Sequence, residues 1–220
     1  MNENFLWNLS TYIIPLFTAI ILHEIAHGWV AYKLGDNTAK NLGRLTFNPI
    51  PHIDPIGSIL LPSLLFISQA GIMFGWAKPV PVRFGALKDI KKDMGLVALA
   101  GPLTNFCLAF LSALCLLGIQ KFISVNIISQ WFFDSMQAFY WVNLGLCAFN
   151  LLPILPLDGG RILVSILPRD LSNQYAQTEK YGFYILIIGL FFLPMMGIDV
   201  IRGYMMWMIT GLSDLMFFLK

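Results

Sequence analysis

Long apolar runs that lack a polar face constrain this chain more than any other feature. They extend from about Thr11 to Leu34, Ile56 to Trp76, Gly95 to Ile119, Trp131 to Leu152 and Tyr181 to Met196. A sixth, from Ile198 to Leu219, is interrupted by Arg202 and Asp214 and reads either as a span or as an interfacial helix. A helix needs about 20 mostly apolar residues to cross roughly 30 Å of hydrocarbon. A helix on a water-soluble core would keep a charged stripe instead. Only 12% of the 220 residues are charged and 57% are hydrophobic, where soluble domains are nearer a quarter charged. The expectation is an all-α integral membrane protein, a bundle of five to six transmembrane helices. It is read as one polytopic domain over residues 1–220, with a core at about 11–165 and C-terminal helices at about 180–219.

The same composition excludes other classes. A net charge of +2, with Lys and Arg scattered, gives no footprint for nucleic acid. Cys107, Cys115 and Cys147 lie in apolar runs without a CxxC pair, which argues against a zinc ribbon or a disulfide framework. The opening MNENFLWNLS has no basic n-region or small-residue cleavage site, so the first run is expected to stay as a span.

Two connections are more than turns. Gly35 to Gly57 and Gly75 to Gly85 are rich in Gly and Pro, and neither continues a helix. Within them RLTF (Arg44–Phe47) and PVPVRF (Pro79–Phe84) read as short strands near the site, whose edges suit an extended peptide. The run from Ile56 to Trp76 is either a span or a re-entrant hairpin, and that choice sets the direction of the first helix. Lys78, Arg83, Lys88, Lys91 and Lys92 outnumber Asp89 and Asp93 just beyond it, which places that connection in the cytoplasm.

The first run carries three polar groups in the sequence HEIAH, residues 23–27. On a helix His23 and His27 differ by about 40° around the axis, so both imidazoles can meet one metal ion. Glu24 is offset from that direction but within reach of a water on the ion. H-E-x-x-H is the zinc hydrolase arrangement, in which the metal acidifies water and the Glu accepts its proton. Ionisable groups at mid-membrane cost roughly 2.5–3.5 kcal/mol each on insertion scales and usually face a functional cavity.

A catalytic zinc takes a third protein ligand and leaves a fourth position open. His52, Asp54 and Asp158 are the candidates, Cys147 being set aside because no polar residue accompanies it. Asp158 lies in FNLLPILPLDGGRIL, where Pro153 and Pro156 break a helix and Gly159 and Gly160 free the backbone. The plainer reading is that Asp158 caps a helix starting at Gly159. Asp36 and Asp54, beside Gly and Pro, read first as turn residues.

Together HEIAH and NLLPILPLDGG (150–160) resemble the two motifs of the site-2 protease family of intramembrane zinc metalloproteases, and AGPLTNF (100–106) is similar to that family's G-P-x-x-N segment. The resemblance covers about Ile20 to Arg161. It implies hydrolysis of peptide bonds in or near transmembrane segments of membrane-protein substrates, with one zinc ion on His23, His27 and Asp158 and Glu24 as general base. It also implies a small prokaryotic form, without PDZ or CBS modules, in the cytoplasmic membrane. Asn105 and Asn150 are either contacts to an extended substrate backbone or interhelical hydrogen bonds. His52 either overhangs the site or sits in a surface loop. The competing reading is a non-catalytic membrane protein that binds metal or transmembrane segments. Oligomeric state is not written in the sequence.

Overall fold

The computed structural model describes residues 3–67, 75–122 and 126–218. Ten α-helices are found there: α1 (Glu3–Lys33), α2 (Thr38–Asn41), α3 (Leu61–Ile67), α4 (Ile90–Phe122), α5 (Ile127–Asn150), α6 (Asp158–Ile166), α7 (Arg169–Ala176), α8 (Glu179–Ile187), α9 (Leu193–Met195) and α10 (Val200–Phe218).

Helices α1, α4 and α5 form the centre, each packed on the other two. Trp7 Nε1 donates to Asp134 and Trp131 Nε1 to Ser10, both at 2.9 Å, which ties the N-terminal ends of α1 and α5 together. At the other end Ala31, Leu87 and Val97 share a buried cluster, so α4 runs antiparallel to α1. Small side chains allow the close approach: Ala19, Ala109 and Ala148 are fully buried. The outward face of α4 is apolar and open at Leu103, Leu111, Leu114 and Leu117, which suits lipid as solvent better than water.

By length and hydropathy, two helical stretches among the described residues qualify to cross a membrane, Ser10–Lys33 and Ile90–Gly118. A third qualifies if the pair Arg169–Ala176 and Glu179–Met195, bent by 56°, counts as one span. The expected count of five to six came from apolar runs alone, and one of those runs is not a continuous helix. In the run from Ile56 to Trp76, a helical turn at Pro55–Leu60 leads into α3, described as far as Ile67, and the chain is no longer helical at Gly75 and Trp76. Trp76 then donates its backbone N–H to the Gly57 carbonyl at 3.1 Å, and Ser58 donates its hydroxyl to Trp76 O at 2.8 Å. The two ends of the run therefore lie side by side, with Trp76 against the bare face of Gly57; residues 68–74 lie outside the described part.

Neither expected strand forms among the described residues. At 44–47 local side-chain bonds replace a ladder: Asn48 N–H donates to Thr46 Oγ1 and Ile50 N–H to Asn48 Oδ1. Residues 76–83 are extended but unladdered, because Pro79 and Pro81 supply no N–H. This strap is held from its other side. Lys78 N–H donates to His52 O, Arg44 donates to the carbonyls of Lys78 and Pro79, and Arg83 N–H donates to Asp36.

Candidate metal centre

In the interior of this bundle, α1 presents His23 and His27 on one face and α6 presents Asp158 at its first residue. One ligand atom from each of the three lies within 4.8 Å of the others. The two Nε2 atoms are 2.9 Å apart, and each is 3.3 Å from Asp158 Oδ2. Both histidines are buried, at 6% and 9% exposure.

The opposite ring nitrogens decide which lone pairs face inward. His27 Nδ1 lies 2.7 Å from the Val97 carbonyl, which can only accept, so in the neutral ring Nδ1 carries the proton and Nε2 is bare. His23 is fixed by a longer relay. Asn143 Nδ2 donates to Phe139 O at 2.7 Å, which turns Asn143 Oδ1 toward Asn105 Nδ2 at 2.8 Å. Asn105 Oδ1 is then left to accept from His23 Nδ1 at 2.6 Å, so His23 Nε2 is bare as well. Two imidazole lone pairs and a carboxylate thus converge in a buried space, and Asp158 Oδ2 has no hydrogen-bond donor among the described residues.

A proton could satisfy one of these contacts; a metal ion satisfies all three. With zinc–ligand distances of about 2.0–2.1 Å, the edge of a tetrahedral site is roughly 3.3 Å, which is the separation of Asp158 from each histidine. Two neutral histidines, each donating its other N–H to an oxygen, plus one carboxylate, are a donor set suited to zinc. Helix α4 can pass this close only because residue 101 is glycine: a Cβ there would strike both imidazole rings.

The turn before Asp158 is as constrained as the histidines. Helix α5 ends at Asn150, and Leu151–Leu157 fold back before α6 begins. Gly159 and Gly160 lie against the backbones of Leu151, Leu152, Ile154 and Leu155 without room for a side chain. Asp158 is not the cap of a later helix: α6 starts at Asp158, with Leu157 in the cap position. The C-terminal helices brace this turn from outside. Tyr175 on α7 donates to Pro153 O at 2.7 Å and Tyr204 on α10 to Leu151 O at 2.9 Å. Gly182 on α8 lets the Leu155 carbonyl approach its backbone.

Glu24, His23, His27, Asp158 and Asn150 line one cavity of about 370 Å³, together with Val80, Val82 and Phe84 of the strap and its continuation. Glu24 Oε2 accepts the Val80 N–H at 2.7 Å. Asn105 is fully buried away from that lining, in the relay to His23. Asn150 reaches the cavity, but its Nδ2 donates within its own helix to Leu146 O at 3.0 Å. His52 is neither over the cavity nor on the surface. It is 2% exposed; its Nε2 lies 3.0 Å from Thr46 O within the loop, and its carbonyl accepts the Lys78 N–H, which joins the loop to the strap. Asp54 is occupied in capping the turn at Pro55–Leu60, accepting from the N–H groups of Ile56 and Gly57. Asn143 is the residue that sequence reasoning missed. An amide in the otherwise apolar stretch Ala138–Phe149 of α5 was the available signal.

The profile of peptidase family M50 matches residues 72–193, which include Asp158 and Asn105. YwhC of Bacillus subtilis is 39% identical over 89% of this chain and 83% of its own length. Rip2 of Mycolicibacterium smegmatis is 30% identical over 77% of this chain and 62% of its own length. MJ0392 of Methanocaldococcus jannaschii is 28% identical over 83% of this chain but only 38% of its own length. All three are named as zinc metalloproteases. No solved structure matches the chain significantly. The family profile covers more than half of the chain and YwhC aligns over most of both lengths, so the chain belongs to peptidase family M50.

Proposed function

We propose that this protein is a zinc metalloprotease that cleaves peptide bonds in or near transmembrane segments of other membrane proteins. The observation that carries the reading is the convergence of two bare imidazole nitrogens and the Asp158 carboxylate inside an apolar helical bundle. His23, His27 and Asp158 hold the ion, and Glu24 is the general base. When bound, zinc supplies a Lewis acid that polarises a peptide carbonyl and acidifies water. Glu24, which lines the same cavity as the two histidines, takes the proton of the attacking water and returns it to the leaving amine. The Val80 N–H orients the carboxylate that does so.

A helical substrate hides its carbonyls in i to i−4 bonds and must unwind before it can enter. The strap, whose Val80 N–H is bonded to Glu24, offers an already extended neighbour in the same cavity. The bundle crosses a prokaryotic cytoplasmic membrane, and the pairing of Gly57 with Trp76 supports a re-entrant reading of the run from Ile56 to Trp76, which leaves four or five of the six apolar runs as spans. The basic end of α4, near Lys88, Lys91 and Lys92, faces the cytoplasm. The test is metal content beside cleavage in reconstituted vesicles. Asp158→Ala is expected to lose both zinc and cleavage, and stoichiometric zinc in that variant would contradict the ligand set.

A further inference from the structure

A second cleft, of about 560 Å³, opens between the first turns of α4 and the last turn of α6, on the other side of α4 from the metal centre. Three cations line it, Lys91, Lys92 and Arg169, against one carboxylate, Asp89. Two of these groups are already engaged. Lys91 Nζ donates to the Leu167 carbonyl, and Asp89 Oδ1 accepts the Lys92 backbone N–H at the start of α4. The Lys92 ammonium and the Arg169 guanidinium have no ion-pair partner among the described residues.

Below the charges the walls are apolar. Leu96, Leu99 and Ile166 are all exposed there. Lys92 lies at the beginning of the apolar stretch Ile90–Gly118, where a membrane–water boundary falls, and Leu99 is seven residues, about 10 Å, deeper along the same helix. A ligand that satisfies both levels carries an anionic group above and hydrocarbon below. We propose that this cleft binds an anionic phospholipid, its phosphate between Lys92 and Arg169 and an acyl chain along Leu96, Leu99 and Ile166. A free phosphate would satisfy the cations and leave the apolar wall uncovered.

The site bridges two helices that matter to the centre. Gly95 of α4 lies against Ser165 of α6 with no room for a Cβ. Two residues beyond Gly95 is Val97, whose carbonyl fixes His27, and α6 begins at Asp158. A lipid seated across this contact holds the two helices in register.

The test is lipid retention by the full chain, read by native mass spectrometry after exchange into a neutral detergent containing phosphatidylglycerol or phosphatidylcholine. The wild type is expected to retain phosphatidylglycerol about tenfold more strongly than phosphatidylcholine, a comparison that needs no variant. Lys92→Gln with Arg169→Gln should lower that retention about tenfold. Lys88→Gln with Lys180→Gln, which removes the same charge outside the cleft, should leave it unchanged. Equal retention of the two lipids, or equal loss in both double variants, would overturn the proposal. So would full displacement of the lipid by glycerol phosphate, which would show that the headgroup alone is recognised. The readout is bound lipid, so it stands or falls separately from the proteolytic reading.

Discussion

The Glu24 carboxylate is held by the backbone N–H of Val80, 2.7 Å away, across 56 residues of sequence. Val80 is itself 6% exposed, its side chain seated against the bare face of Gly28 one turn after Glu24. The strap therefore forms one wall of the cavity and also sets the direction of the residue assigned as base.

Val80→Pro tests that bond directly. Proline fits the extended neighbours Pro79 and Pro81 but removes the donor. A hydrogen bond to a charged group contributes about 1.5–3 kcal/mol, so kcat should fall about tenfold or more with zinc content unchanged. Val80→Ala keeps the N–H and should stay well above it in kcat. Equal rates in the two variants would show that the N–H does not orient Glu24.

The relay from Phe139 through Asn143 and Asn105 to His23 predicts a graded effect on metal affinity. Asn105→Leu removes the acceptor that fixes the His23 ring and should weaken zinc binding about 10–100-fold in a chelator competition titration. Asn105→Asp keeps an acceptor for His23 Nδ1 and should retain most of the affinity. If the two variants bind zinc equally, hydrogen bonding to His23 is not what prepares the site.

Asp36 gives a pH-dependent prediction away from the metal. Burial by itself would raise its pKa, but donation from the Thr38 hydroxyl and N–H and from the Arg83 N–H, with the Arg83 charge nearby, holds it below the usual carboxylate value. A folded-state pKa depressed in this way adds stability above the unfolded value, about 4, and that stability is lost as pH falls through the folded value. Asp36→Asn should lower stability by about 1–3 kcal/mol at neutral pH. The gap in thermal midpoint between the two proteins should be flat from about pH 8 to 5 and close below about pH 4. A gap that widens on acidification would contradict the assignment.

How much was legible in the sequence follows from how local each interaction is. His23 and His27 are four residues apart on one helix, so their shared face is dictated by helix geometry alone. Asp158 is 131 residues beyond His27, and only the proline-broken turn and the family resemblance singled it out. The Val80 N–H is a backbone donor with no side-chain signature, and Asn143 acts through a second amide on another helix. Hydropathy read Ile56–Trp76 as a possible span because it counts apolar residues and does not see that Gly57 and Trp76 are paired. Nor did periodicity give the C-terminal helices a role. Their hydroxyls reach back 22 and 53 residues to the carbonyls of the turn before Asp158.

The most direct measurement compares the wild type with Glu24→Gln in cells, recording membrane-derived peptide fragments and, on the purified proteins, bound zinc. Glu24→Gln removes the base and leaves His23, His27 and Asp158 in place. The account predicts one zinc per chain in both proteins and fragments only with the wild type. Fragments at wild-type levels from zinc-loaded Glu24→Gln protein, in cells without another protease of this type, would contradict it.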